Sequence, residues 1–170
     1  FKGGISLKIS ELMAGYTPSS SFEGFVTNDD WVLAVDTAST KDSDFGDYKV
    51  VQMGIEGLDS QMNPTTMDKQ YIRAGQSTTK TGTQRVFSVS GDRYIGDDFQ
   101  DWAFSHDIKY GTGETVNVPF IYFNVRNGEG EKGVLAVIVN SDAAGNAGDN
   151  STISIDLRKC GTQPTEYTYG

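Results

Sequence analysis

The chain alternates apolar and polar residues most cleanly near its C-terminal end. In residues 151–159, "STISIDLRK", Ile153, Ile155 and Leu157 alternate with Thr152, Ser154, Asp156 and Arg158, a period of two that predicts a half-buried strand. Residues 31–36, "WVLAVD", place Trp31, Leu33 and Val35 on one face in the same way. Residues 49–56, "KVVQMGIE", set Val51, Met53 and Ile55 against Gln52, Gly54 and Glu56. A further strand is expected at 83–90, with Phe87 and Val89 inward. Residues 118–126 and 133–140 are almost continuously apolar, the pattern of strands covered on both faces. Pro119 suits a strand start or an edge.

One segment follows the helical period instead. In residues 96–107, "GDDFQDWAFSHD", Phe99, Trp102, Ala103 and His106 recur at helical spacing. Asp97 is the expected N-cap, with Gln100 three residues on as in a capping box, and Asp98 favours the positive end of the dipole. The predicted class is therefore mainly β: an antiparallel β-sandwich or partly closed barrel with one short flanking helix at about 96–107. No internal repeat or linker divides the chain, so residues 1–170 read as one domain. The first 30 residues are compatible with an N-terminal arm.

Residues 63–82, "NPTTMDKQYIRAGQSTTKTG", show neither period. They are rich in threonine and carry Lys69, Arg73 and Lys80 against Asp68 alone. A long extended loop over about 58–80 is the expectation, and a structureless loop of that length in a compact domain is usually functional or disordered.

Composition narrows the function. The 170 residues carry 36% hydrophobic and 11% aromatic side chains and 20 glycines, which suits one folded domain of short strands and turns. No apolar run approaches the ~20 residues of a membrane span, and none reads as a secretory signal. The single cysteine, Cys160, excludes an internal disulfide and a cysteine-based zinc site, which fits synthesis in a reducing cytoplasm. The net charge of −9 argues against a protein that grips nucleic acid by its phosphates. From Gln61 to Arg93 there are five basic and two acidic residues. That segment is +3 and the remainder −12, a polarity suited to head-to-tail self-association.

Candidate chemistry is sparse. The only histidine, His106, falls on the apolar face of the expected helix beside Asp107, and no G-x-S-x-G occurs. "GEGEKG" at 128–133 matches G-x-G-x-x-G formally. A strand follows it where a dinucleotide site needs a helix, and Glu129 and Glu131 would repel phosphate; it reads as a hairpin turn. "DSDFGD" (42–47) and "DAAGNAGDN" (142–150) lack the ligand spacing of an EF-hand loop. No catalytic residue, metal ligand or cofactor is assigned.

The stretch from Gly54 to Asp101, "GIEGLDSQMNPTTMDKQYIRAGQSTTKTGTQRVFSVSGDRYIGDDFQD", resembles the major tail, or tail tube, proteins of tailed bacteriophages of Gram-positive hosts. The tube proteins of tail-like bacteriocin particles are similar. "IKYGTG" at 108–113, "GEGEKG", "GNAGDN" at 145–150 and the ending "GTQPTEYTYG" fit the same pattern. The resemblance implies a virion structural protein, made in the host cytoplasm, that builds stacked hexameric rings. One sheet of each subunit would join its neighbours' around a lumen through which DNA passes without specific binding. Tape-measure and tail-terminator or baseplate proteins are the implied partners besides the chain itself. The long loop would reach the next ring through Asp68, Lys69, Gln70, Tyr71, Ile72, Arg73, Thr78, Thr79 and Lys80. Gln52, Glu56, Ser88, Ser90, Thr152, Ser154 and Asp156 are candidate lumen-lining residues, because short polar or acidic side chains give sliding DNA no phosphate contacts. The competing expectation is a β-sandwich that binds cell-surface carbohydrate. Such modules display exposed aromatic platforms, whereas Trp31 and Trp102 read as buried. An enzyme ranks third.

Overall fold

The computed structural model describes residues 8–38 and 44–169. Its main feature is one antiparallel sheet of eight strands. The strands are β1 (Trp31–Val35), β2 (Lys49–Val50), β3 (Ile55–Gln61), β6 (Val86–Asp92), β7 (Asn117–Asn124), β8 (Glu129–Ala144), β9 (Thr152–Lys159) and β10 (Thr165–Thr168). Across the sheet the order is β2-β1-β7-β8-β9-β6-β3, with β10 beside the first part of β8. A separate two-stranded ribbon is formed by β4 (Thr65–Tyr71) and β5 (Gly75–Gly82).

This order forces the sheet to curl. Strands β2 and β3 are its two edges, yet only Val51–Gly54 separates them in sequence. Five Cα steps span at most ~19 Å, whereas six flat inter-strand spacings would hold the edges ~29 Å apart. The result is a half-barrel, the partly closed barrel of the two expected architectures, not two stacked sheets.

The turn that joins the edges also breaks the strand expected over 49–56. Gly54 has φ 74°, and a Cβ there would sit 2.7 Å from the Asp92 carbonyl oxygen. Only glycine fits this left-handed, crowded position, so the alternation of Val51, Met53 and Ile55 does not correspond to one strand.

The inner face carries the larger core. Leu33, Val35, Phe87, Val89, Phe120, Leu135, Ile155 and Leu157 meet Phe99, Ala103 and Ile108 from two short helices and Phe104 from between them. Rings meet within it: Trp31 stacks on Tyr122 with centroids 5.1 Å apart, and Phe87 lies tilted against Tyr122 at 4.8 Å. Trp31 and Trp102 are half-buried against this core rather than enclosed by it. The second core lies on the other face of β1 and β7, where Val32, Ala34, Ile121 and Phe123 are covered by Ile9 and Met13. Ile9 belongs to α1 (Ile9–Leu12). So β1 and β7 are covered on both faces. The outer face of β8 is not, and Val134 and Ile138 are exposed there.

The helix expected over 96–107 is two pieces, α2 (Asp98–Ala103) and α3 (His106–Lys109), separated at Phe104–Ser105. Asp97 caps α2 by accepting from the Gln100 N–H at 3.0 Å. The Gln100 side chain does not complete a capping box. It donates to the carbonyls of Met53 (2.8 Å) and Asp92 (3.1 Å) and accepts from the Tyr94 N–H (2.9 Å), tying the helix to the β2–β3 turn. His106 lies on the exposed side, its ring 4.8 Å from that of Tyr110. In "GEGEKG" only Gly128, at φ 76°, belongs to the turn; Glu129 onward is β8.

Candidate assembly surfaces

The segment read as a long loop is the β4–β5 hairpin, preceded by the end of β3. It continues the β3–β6 ladder past a break: the Gln84 N–H donates to the Met62 carbonyl at 2.9 Å, and pairing resumes at Thr65 opposite Gly82. The break falls at Asn63, whose φ is 41°, and at Pro64, which has no N–H for the ladder. The chain reverses through Ile72, Arg73 and Ala74, with Arg73 at φ 67°. Each strand is seven or eight residues, so the ribbon is ~24 Å long at ~3.4 Å per residue.

Nearly every hairpin residue is exposed. That is why no period marks it: alternation in a sequence records one buried and one wet face, and this ribbon is open on both. The threonines, which favour strands, were the available signal. Pairing sorts the expected arm residues into two faces. Met67, Lys69 and Tyr71 share one, while Asp68 and Gln70 lie with Thr78 and Lys80 on the other. The Thr78 hydroxyl donates to Asp68 at 2.6 Å. Thr79 pairs with Met67, and Ile72, 88% exposed, forms the tip with Arg73. Met67 belongs to the exposed apolar surface and was missed in the sequence.

The hairpin root is fastened to the body. Arg85 Nε lies 2.6 Å from Glu131 Oε1, and its guanidinium covers the rings of Phe87 (4.9 Å) and Tyr122 (5.1 Å). It also donates to the Met62 sulfur at 2.8 Å. By contrast Lys69, Arg73 and Lys80 make no ion pair among the described residues.

Strand pairing gathers five of the seven residues proposed to line a channel. Ser88 faces Asp156, Ser90 faces Ser154, and Thr152 stands opposite Asp92. They form a polar strip on the face of β6 and β9 that looks away from the inner core. Asp59 of β3, opposite Ser88, joins it; a cross-strand partner cannot be read from one strand's own period. Arg158 and Ile138 also lie on this face. Gln52 and Glu56 stand apart. Gln52 is in the edge-joining turn and Glu56 in the β3 bulge, and both line a cleft of about 330 Å³ between the sheet edges and the N-terminal segment.

The titratable groups with displaced affinities do not converge on one site. Burial, with the nearby Asp36 charge, pushes the Tyr48 phenol up to about 12. Burial also raises Asp97, partly offset by its Gln100 N–H bond, and raises the Cys160 thiol, away from a reactive thiolate. Among the described residues no group of three or more His, Cys, Asp or Glu side chains is placed to hold a metal ion. The 42–47 cluster lies partly outside the described residues.

No protein-family model and no curated protein sequence matches the chain. Solved structures do. A chain of the tail of an empty gene transfer agent particle, refined helically with C6 symmetry, matches with a TM-score of 0.62 and 15% identity, covering 85% of this chain and 100% of that one. A chain of the native gene transfer agent virion gives 0.56 and 13%, covering 86% and 100%. The three chains share one fold.

Proposed function

We propose that the protein is a structural subunit of a phage-like tail that assembles with itself into stacked hexameric rings. The observation that carries this reading is the fold shared, over the whole of the neighbour chain, with a tail particle of C6 symmetry. The hairpin supports it physically. A two-stranded ribbon with no buried face is marginal in water, and this one keeps Met67, Tyr71 and Ile72 open to solvent, which suits an arm that orders fully against a neighbouring ring.

In this reading the strip of Ser88, Ser90, Thr152, Ser154 and Asp156 faces the lumen. Its short polar side chains let DNA pass without the phosphate contacts that Lys or Arg would make; Arg158 on the same face is held by Asp156, 3.5 Å away. The remaining partners are the tape-measure and the terminator or baseplate proteins of the same tail, and the location is the virion of a phage or bacteriocin particle of a Gram-positive host. No described helix is long and apolar enough to cross a membrane.

Electron microscopy of the concentrated full chain tests the proposal. Six-fold rings or tubes are expected. Dispersed monomers that bind glycans would overturn it in favour of a carbohydrate-binding module.

A further inference from the structure

We infer that the cleft between the sheet edges is the socket for the hairpin tip of a second copy of this chain. The inference rests on the proposed tail-subunit reading and names the site that the arm fills.

The two surfaces are complementary in chemistry. The cleft has a mixed lining, in which Tyr16, Val51, Ile55 and Leu58 stand beside the acids Asp29 and Glu56. Neither acid makes an ion pair among the described residues. The hairpin tip has the inverse design: Ile72 at its end, 88% exposed, flanked by Tyr71 and by the unpaired cation Arg73. At about 330 Å³ the cleft far exceeds the space of one water and admits a branched aliphatic side chain. The Asn28 side chain donates to the Leu58 carbonyl at 3.3 Å, which ties the N-terminal segment to β3 at the cleft.

Position selects the occupant. Cleft and tip stand at opposite ends of one ribbon: Glu56 sits in the bulge near the start of β3, and the same ladder runs through Met62–Gln84 to the turn at Ile72. Glu56 and Ile72 are sixteen positions apart, so at ~3.3 Å per residue the two ends stand up to ~53 Å apart. A subunit whose tip is exposed has not filled its own socket, whereas an identical neighbour displaced along the ribbon can. Socket at one end and plug at the other make a heterologous contact that repeats without closing, the geometry of stacking.

A cysteine cross-link tests the placement. In a Cys160→Ser background, Gln52→Cys is combined with Ala74→Cys, two exposed positions outside the proposed contacts' apolar centre. Oxidation of assembled protein is expected to give a ladder of dimers, trimers and longer chains on a non-reducing gel, with neither single variant giving one. Assemblies that form without the 52–74 cross-link overturn the socket while leaving the tail-subunit reading intact. Failure of the unaltered chain to assemble at all overturns both. As a second measurement, Arg73→Glu should raise the concentration needed for assembly by about tenfold, and the double variant Arg73→Glu/Glu56→Arg should recover most of that loss. Strictly additive losses count against the socket.

Discussion

Gln100 is fully buried in a largely apolar layer and survives there because its amide is satisfied on both sides, by the Met53 and Asp92 carbonyls and by the Tyr94 N–H. Removing it strands three backbone groups at the turn that joins the sheet edges, and each buried orphan costs about 1–3 kcal/mol. Gln100→Ala is therefore expected to lose roughly 2–4 kcal/mol in urea denaturation, with partial water entry absorbing the rest. Tyr48 supplies a second residue-level test. Its phenol ionises near 10 when unfolded and is pushed up to about 12 when folded. The fold thus favours the neutral ring: stability is intact below pH 10 and falls as pH rises from 10 to 12. Two pKa units correspond to ~2.7 kcal/mol at most, and a loss of about 1–2 kcal/mol is expected once residual solvent contact is allowed for. Tyr122 and Tyr167 are also raised by burial, so the informative measurement is the difference between wild type and Tyr48→Phe. Parallel alkaline profiles would show that Tyr48 is not the group responsible.

At the scale of elements, legibility followed burial. Strand β9 could be read from Ile153, Ile155 and Leu157 because one of its faces is packed and the other polar. The β4–β5 hairpin could not, since neither face is buried within the subunit. Helices α2 and α3 merged into one prediction because Phe99, Trp102, Ala103 and His106 recur at helical spacing, and such a stripe does not record a break in the backbone; His106 stands on the exposed side. β10 was missed for want of apolar residues: its outer contacts are Tyr167 against Phe45 and Phe123. The candidate surfaces divide the same way. Ser88, Ser90, Thr152, Ser154 and Asp156 followed from alternation, but Glu56 and Gln52 were displaced by the turn at Gly54. One prediction belongs here. Replacing residues 65–80 with a short Gly-Ser linker removes no core side chain, so the change in unfolding free energy should stay within about 1 kcal/mol. Rings or tubes should no longer stack. A collapse of the body, read by circular dichroism, would mean that the ribbon is part of the folding unit.

For the whole molecule, the distribution of charge and apolar surface sets which force holds subunits together. The chain carries −9 overall, and Lys69, Arg73 and Lys80 stand on a hairpin that projects from an acidic body. Attraction between such parts speeds and orients encounter, but each exposed ion pair is worth only ~0–1 kcal/mol. Ile72, 88% exposed in the subunit, offers about 1.5–3 kcal/mol if fully buried on assembly. Its exposure also means that substitution leaves the fold untouched. Ile72→Ser should raise the concentration needed for assembly by about 10- to 100-fold, and Lys69→Ala by less than about 5-fold, on these magnitudes. Salt separates the two contributions further, because at ~1 M the screening length falls to ~3 Å. The Ile72→Ser defect should persist there, whereas the Lys69→Ala defect should vanish. Sedimentation velocity at low and high salt reads both. Assembly that ignores Ile72 yet fails with one lysine or modest salt would show an electrostatic contact, and the apolar tip would then have no part in holding the stack.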